Sequence, residues 1–188
     1  MTDRGTSASV ACIVLGAGAG KRYGGPKADA RLPDGTRFVD RVAAVASEAG
    51  AGVIIVVLPP GIGRPLGTQF VRGDPDAEQI VSLRLGLAQL ANTSVAGVLI
   101  WPVDHPHVSR ATVIAVMDEF RRAQAPIVIP TFGGRRGHPS LFARETWREL
   151  MTVERDGARG VIHAYGARVA EVEVDDDAVL RNMNTTED

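Results

Sequence analysis

The sequence has few of the residues that disulfides, thiolate metal sites and membrane spans require. One cysteine, Cys12, occurs among 188 residues, which excludes an internal disulfide and a zinc site built from several thiolates. No apolar run approaches the roughly 20 residues that cross a bilayer, and the start lacks the apolar core of a signal peptide. We therefore expect a soluble protein of the cytoplasm that does not bind membranes.

Excess charge of either sign is also lacking. The formal net charge is −1, with 23% charged and 45% hydrophobic residues. This balance is typical of a globular chain and argues against a broadly basic nucleic-acid binder, so we expect no nucleic-acid partner. The length predicts one domain. We assign the small, polar residues 1–9 to a flexible N-terminus and residues 10–188 to a single domain.

Apolar runs alternate with segments of helical periodicity. Solid apolar runs predict buried strands; they lie at Val10–Leu15, Val53–Leu58, 95–101 and 126–130. Shorter strands are predicted at 68–71, 140–142 and 168–174. Helices are predicted at 38–49, 77–91, 110–124 with Ser109 as N-cap, 144–151 and 158–165. This alternation predicts a three-layer α/β/α sandwich with a mostly parallel sheet. Such sheets bind ligands beyond the carboxyl ends of their strands, here after Leu15 and Trp101.

A glycine-rich loop with three cations follows the first predicted strand. It reads GAGAGKRYGGPK from Gly16 to Lys27, and glycines let backbone N–H groups approach a ligand closely. Together with Lys21, Arg22 and Lys27, these glycines indicate polyphosphate binding more than a tight connection alone. Two common phosphate loops do not fit. The dinucleotide fingerprint G-x-G-x-x-G lacks its third glycine, and no Lys-Ser or Lys-Thr pair completes a Walker loop.

The loop fits a different motif, L-(A/G)-(A/G)-G-x-(G/S)-x-R-(F/M/Y)-G-x-x-K. Residues 15–27 match it, with Gly16 where alanine is usual. The chain thereby resembles the MobA/MocA-like NTP transferases, which attach GMP or CMP to molybdopterin. The resemblance implies a Rossmann-like, GT-A-like nucleotidyltransferase fold. The nucleotide-binding residues that we assign are Leu15, Gly16, Ala17, Gly18, Ala19, Gly20, Lys21, Lys27, Asp74 and Ser82.

Asp74 and Ser82 match the family more loosely. Relatives place an acidic residue that contacts base or ribose near Asp74, followed by an E-G-x-x-x-S-L stretch. The segment EQIVSL, which contains Ser82, resembles that stretch without its glycine. Turn and capping roles are an equally open interpretation of both residues.

Asp104 stands at the end of a predicted buried strand. The segment PVDHP around it reproduces the P-x-D-x-P segment of the family, and the resemblance implies that Asp104 binds catalytic Mg²⁺. Mg²⁺ prefers hard oxygen ligands and is usually held by one or two carboxylates plus substrate phosphates. The resemblance implies a second ligand at Asn184, where relatives carry aspartate. A transition-metal site at His105 and His107 is the alternative, although no third nitrogen or sulfur donor lies nearby in sequence.

The segment GGRRGHPSLF resembles the G-x-R-G-(H/N)-P-x-(L/V)-F segment of the family. Arg135 and Arg136 would clamp an anionic acceptor, since paired guanidinium donors suit phosphate, and His138 would hydrogen-bond it. A solvated basic hairpin is the alternative. We also predict that the acidic residues 175–177 form a solvated turn.

The combined interpretation is an Mg²⁺-dependent nucleotidyltransferase, with Arg22, Lys27 and Asp104 as catalytic residues. It would move NMP from an NTP to a phosphate-bearing acceptor and release pyrophosphate. Molybdopterin is the first acceptor that we assign. Ala17 favours CTP over GTP, because relatives that use GTP tend to carry glycine there. A cytidylyl- or uridylyltransferase for a sugar or polyol phosphate is one alternative. Another is a non-catalytic nucleotide-binding accessory protein for a molybdenum hydroxylase, which would then be a partner.

Overall fold

Eight strands form one sheet in the computed structural model, which describes residues 8–21 and 23–183. The strands are β1 (Val10–Leu15), β2 (Val53–Leu58), β3 (Gln69–Arg72), β4 (Gly97–Pro102), β5 (Ile127–Phe132), β6 (Arg135–Arg136), β7 (Ser140–Ala143) and β8 (Val169–Glu173). Their order is β3-β2-β1-β4-β7-β5, and β8 also pairs with β5. The pairs among β3, β2, β1 and β4 and the pair β5–β8 are parallel, whereas β7 is antiparallel to both β4 and β5.

Five α-helices cover the two faces of this sheet. They are α1 (Phe38–Glu48), α2 (Gln79–Gln89), α3 (Arg110–Ala123), α4 (Trp147–Thr152) and α5 (Gly157–Tyr165). Successive side chains of a strand point to opposite faces, so Cys12 of β1 packs with the α1 and α3 side while Ile13 packs with the α2, α4 and α5 side. The predicted three-layer α/β/α sandwich with a mostly parallel sheet is therefore confirmed.

The predicted elements differ from the observed ones mainly at their ends. β1 and β2 have the predicted bounds, and Ser109 caps α3 through its side chain, which accepts a hydrogen bond from the N–H of Thr112. The strand predicted at 126–130 continues to Phe132 because β6 pairs with its end as a hairpin. The helix predicted at 144–151 begins as a short 3-10 helix, Arg144–Thr146, before α4.

Two expectations, the flexible N-terminus and the lack of a membrane span, concern residues that the structure describes only in part. Residues 1–7 of the predicted flexible N-terminus lie outside the described residues. Within the described part of the chain, no helix combines the length and the apolar character that a bilayer crossing needs.

The pairing of β1 with β4 decides where the functional loops meet. These neighbouring parallel strands are in register from Val10 opposite Gly97 to Leu15 opposite Pro102. Their carboxyl ends therefore lie at one edge of the sheet, where the N–H of Val103 donates to the carbonyl oxygen of Leu15 at 3.0 Å. The loop after β1 and the loop after β4 leave the sheet side by side.

Candidate functional site

The loop after β1 folds back on itself around Gly20. The carbonyl oxygen of Gly20 accepts hydrogen bonds from the N–H groups of Tyr23, Gly24 and Gly25, at 2.9, 3.1 and 3.2 Å. Gly20 has a φ of +59°, and a Cβ there would lie 1.9 Å from the carbonyl oxygen of Gly25. Only glycine fits this position, so Gly20 shapes the loop.

Gly18 differs from Gly20, because no described residue explains why it lacks a side chain. Its φ lies outside the left-handed region, and a Cβ built on it would meet no described atom within 4 Å. The backbone N–H groups of Ala17, Gly18 and Gly20 donate to no acceptor among the described residues. This part of the loop thus presents bare backbone donors, which is the arrangement that binds phosphate groups.

A cavity of about 220 Å³ lies between this loop, the start of α2 and the end of β4. We call it the glycine-loop cavity; its lining residues are Leu15, Gly16, Ala17, Gly18, Gly20, Lys27, Ala77, Gln79, Ser82, Pro102, Val103 and Asp104. Most of the predicted nucleotide-binding residues are therefore brought together. Their common position at the carboxyl ends of β1 and β4 is the expected place for a ligand in this fold.

Three predicted nucleotide-binding residues lie outside the wall of this cavity. Ala19 and Lys21 line an adjoining open cleft, where the Lys21 ammonium is 2.9 Å from an oxygen of Asp76. Asp74 is exposed, and its carboxylate accepts a hydrogen bond of 2.9 Å from the N–H of Asp76. This hydrogen bond fits the turn role that was the alternative interpretation of Asp74, and its contact with a nucleotide stays a prediction.

Lys27 and Asp104 form an ion pair on the wall of the glycine-loop cavity. Lys27 Nζ lies 3.0 Å from Asp104 Oδ2, and the two side chains are only 17% and 23% exposed. Lys27 opens the short 3-10 helix Lys27–Asp29, and Asp104 follows β4. The pair therefore places a cation for phosphate oxygens and an anionic oxygen ligand for a metal at the same point. Arg22, the third predicted catalytic residue, and Asn184, the second predicted metal ligand, lie outside the described residues.

Two neutral histidines stand beside this pair. The rings of His105 and His138 have centroids 5.0 Å apart. Burial lowers the pKa of the His105 imidazole, and burial followed by the charge of His105 lowers the pKa of His138 to about 4. Both rings are therefore uncharged at neutral pH, and the buried Nδ1 of His138 has no hydrogen-bond partner among the described residues.

The structure gives the alternative transition-metal site little support. His105 is buried, whereas His107 is exposed. Across the described ranges, no three His, Cys, Asp or Glu side chains are grouped so that they could hold a metal ion. Asp104 is a hard oxygen donor, and the chemistry of such a donor fits Mg²⁺, which keeps several waters and takes its other ligands from substrate phosphates.

The three predicted acceptor-binding residues separate in the structure. His138 lines a second cavity of about 300 Å³ that shares Leu15, Gln79 and Pro102 with the glycine-loop cavity. Arg135 and Arg136 lie on the exposed β6 hairpin and line neither cavity. The guanidinium of Arg136 pairs at 2.7 Å with Glu171 of β8.

A segment near the end of the described chain fixes both histidine-bearing loops. We call residues 175–183 the C-terminal strap. The carbonyl oxygen of Val179 accepts the N–H of His138 at 2.9 Å, and the N–H of Met183 donates to the carbonyl oxygen of Asp104 at 2.8 Å. His105 Nδ1 also lies 3.4 Å from the carbonyl oxygen of Ala178.

Asp176 anchors this strap to the start of α3. Its carboxylate accepts hydrogen bonds from Thr112 Oγ1 at 2.6 Å, from the N–H of Ser109 at 2.9 Å and from the N–H of Ala178 at 3.2 Å. The prediction that residues 175–177 form a solvated turn is therefore wrong for Asp176. Two of its three partners, Thr112 and Ser109, lie 64 and 67 residues away at the start of α3, so no local sequence pattern marks them.

A family model for the MobA-like NTP transferase domain matches residues 12–170. The chain belongs to this family. The match contains the glycine-rich loop, Lys27, Asp104 and His138. A search of curated proteins finds no significant match.

Solved structures support the fold of this MobA-like NTP transferase. Rv0371c from Mycobacterium tuberculosis is 26% identical, with a TM-score of 0.83 over 97% of this chain and 95% of that one. A second structure of Rv0371c is a complex with manganese, at 24% identity, a TM-score of 0.73 and 88% coverage of each chain. A nucleotidyl transferase from Methanothermobacter is 22% identical, with a TM-score of 0.77 over 96% and 94% of the two chains. The 2-C-methyl-D-erythritol 4-phosphate cytidylyltransferase of Thermus thermophilus is 22% identical, with a TM-score of 0.67 over 93% and 92%.

Replacing Asp176 tests the anchoring of the strap. Burial raises the pKa of Asp176, but the hydrogen bonds from Thr112, Ser109 and Ala178 outweigh burial and hold the pKa below its usual value. We expect Asp176→Asn to lower the free energy of unfolding by about 1 kcal/mol at pH 7, the usual scale for a helix-capping side chain. Urea unfolding of both proteins measures the difference.

The pH dependence follows from the direction of the shift. A lowered pKa stabilises the fold above the usual aspartate value of about 3.9, and that stabilisation disappears as the pH falls through the lowered value. The gap between wild type and Asp176→Asn should therefore close in acid. Asp175→Asn is the control, because Asp175 is exposed and bonds to no described residue. Equal stabilities of the two variants at pH 7 would contradict the anchoring role.

Proposed function

We propose that this MobA-like NTP transferase moves NMP from an NTP, with CTP preferred over GTP, to a phosphate-bearing acceptor and releases pyrophosphate. The acceptor that we propose first is molybdopterin, which would make a molybdenum hydroxylase a downstream partner. The observation that carries the proposal is the Lys27–Asp104 pair, 3.0 Å apart on the wall of a cavity lined with bare glycine backbone. A polyphosphate with a divalent cation is the ligand that would use the ion pair and the glycine backbone together.

Asp104 is the described residue that would hold the metal, and Asn184 is its proposed second ligand. A bound Mg²⁺ would neutralise charge on the phosphates and orient them. The backbone around Asp104 is held by two hydrogen bonds: Val103 N–H donates to the carbonyl oxygen of Leu15, and Met183 N–H donates to the backbone carbonyl oxygen of Asp104.

The protein groups perform the rest of the reaction by positioning and charge. An acceptor phosphate oxygen forms a bond to the α-phosphorus, and the bond from that phosphorus to the β-phosphate oxygen breaks in line. Lys27 and Arg22 offset the charge that develops on the phosphates, and the N–H groups of Gly18 and Gly20 bind their oxygens. No general base is needed, because a phosphate monoester is already ionised near pH 7.

The acceptor would lie in the cavity that His138 lines, next to the nucleotide. Being neutral, the His138 imidazole can donate a hydrogen bond from one ring nitrogen and accept one at the other. Its Nδ1 is buried and has no hydrogen-bond partner among the described residues. Arg135 and Arg136 line neither cavity. In this proposal they would contact only those parts of an acceptor that extend to the exposed hairpin.

Substrate competition tests the proposed function. Pyrophosphate release should be fastest with CTP among the four NTPs, in the presence of Mg²⁺ and molybdopterin. Faster release with a polyol phosphate would move the acceptor to the alternative class. Tight binding of Mg²⁺-NTP without turnover on any acceptor would instead support the accessory-protein alternative and contradict transferase activity.

Ala17 is the proposed source of the base preference. Its methyl group is buried, and a Cβ built on Gly73 would lie only 2.6 Å from it. Ala17→Gly removes this methyl group from the lining of the glycine-loop cavity, so we expect the preference for CTP over GTP to fall by roughly 10-fold, within the 1–3 kcal/mol that one methyl group contributes. A native preference for GTP at equal concentrations would contradict this assignment.

Asp104→Asn tests the metal ligand. The change keeps the size of the side chain but removes its charge, so turnover should fall roughly 10³-fold while the fold remains, because a metal clamp supplies several kcal/mol. His107→Ala is the matched control in the same loop, since His107 is exposed. An active Asp104→Asn beside an inactive His107→Ala, with zinc bound to the purified protein, would overturn the assignment.

Gly18→Ala tests whether the missing side chain of Gly18 makes room for a phosphate group. The added methyl group meets no described atom within 4 Å, so the melting temperature should not change. It would occupy the phosphate site, and we expect Mg²⁺-CTP to bind at least about 10-fold more weakly, a loss of 1.4 kcal/mol. Gly25→Ala is the control: it has equal room but lies outside the glycine-loop cavity. Unchanged CTP binding in Gly18→Ala would contradict the phosphate site.

A further inference from the structure

The cavity that adjoins the nucleotide site has an apolar floor and a charged rim. We call it the α5 cavity, since Gly157, Ala158, Arg159 and Ile162 of that helix form one wall. Leu83 and Phe142 are buried in its floor. This shape and lining suit a small molecule with a carbon-rich body and an anionic end.

Arg159 is the cationic side chain of this wall, and it is available to a ligand. Its guanidinium makes no hydrogen bond or ion pair with any residue that the structure describes. Most other arginines near the sheet are engaged: Arg136 pairs with Glu171, and Arg84 donates to carbonyl oxygens of Leu150 and Val153. A guanidinium left without a partner beside a cavity is well suited to phosphate, which it binds through two parallel donors.

Arg159 lines the α5 cavity together with His138. The α5 cavity shares Leu15, Gln79 and Pro102 with the glycine-loop cavity, whose wall carries the Lys27–Asp104 pair. Arg159 thus provides positive charge at a cavity that adjoins the nucleotide site.

Two carboxylates also line the α5 cavity. Glu78 and Asp156 are both exposed on its rim. They repel anions, so Arg159 is the lining residue, within the described ranges, that offers a full positive charge to an acceptor. A ligand with one anionic group would pair with Arg159 and keep its body on the apolar floor, away from the carboxylates.

We propose that Arg159 binds the anionic group of the acceptor and that the floor of the α5 cavity selects acceptors with a carbon-rich rather than a polyhydroxylated body. This proposal rests on the proposed function and assigns acceptor recognition to α5 rather than to the exposed arginines of the β6 hairpin. Arg159 is a binding residue here, and the transfer of NMP still takes place at Lys27 and Asp104.

Calorimetric titration with two small phosphate monoesters tests the assignment. The protein is first saturated with Mg²⁺ and α,β-methylene-CTP, a non-hydrolysable nucleotide that occupies the glycine-loop cavity, and is then titrated with phenyl phosphate or glycerol 3-phosphate. Phenyl phosphate should bind more tightly, and Arg159→Ala should weaken its binding at least about 10-fold. Arg155→Ala is the matched control, because Arg155 is exposed and lies outside the α5 cavity, and it should bind like wild type.

The outcomes separate this proposal from the proposed function. Binding of α,β-methylene-CTP is measured first, and its failure in the wild type would count against the function itself. With the nucleotide bound, three results would overturn the role of Arg159 and its cavity: no binding of phenyl phosphate, equal binding of both esters, or equal binding by wild type and Arg159→Ala. Loss of binding in Arg135→Ala alone would move acceptor recognition to the β6 hairpin.

Discussion

The ion pair between Lys27 and Asp104 is the contact on which the site depends. It joins the loops that follow two neighbouring parallel strands, and each partner is mostly buried. Removing either partner would leave a charge that is costly to bury alone. Because the pair stands on the wall of the glycine-loop cavity, it holds the two charges that a nucleotide and its metal would take up.

The rest of the structure keeps this pair in place. The strands below it are in register along their whole length, and the C-terminal strap fixes the Asp104 loop from above through Met183. The same strap holds His138 through Val179 and is itself tied to α3 by Asp176. The Asp104 loop and the His138 loop are therefore supported by one segment. A change in the strap is expected to affect both.

Local patterns in the sequence predicted those features that are determined by residues close together along the chain. β1 and β2 are solid apolar runs, so their bounds follow from composition, and Ser109 caps α3 through a residue only three positions away. The ordered motif from Leu15 to Lys27 likewise predicted the cavity wall. Asp176 could not be found in this way, because its partners Ser109 and Thr112 are distant in sequence. The place of Arg159 in the lining of the α5 cavity likewise depends on how the chain folds. Gly18 and Gly20 also look alike in the sequence, although Gly20 is required by its φ and Gly18 faces open space.

A crystal structure with α,β-methylene-CTP and Mn²⁺ would show whether nucleotide phosphates and a metal meet at Lys27 and Asp104. Mn²⁺ shares the octahedral oxygen preference of Mg²⁺ and can be located by its anomalous scattering. We expect an anomalous peak about 2.1 Å from a carboxylate oxygen of Asp104, with Lys27 Nζ on a phosphate oxygen. A peak at His105 or His107, or a nucleotide bound outside the glycine-loop cavity, would contradict it.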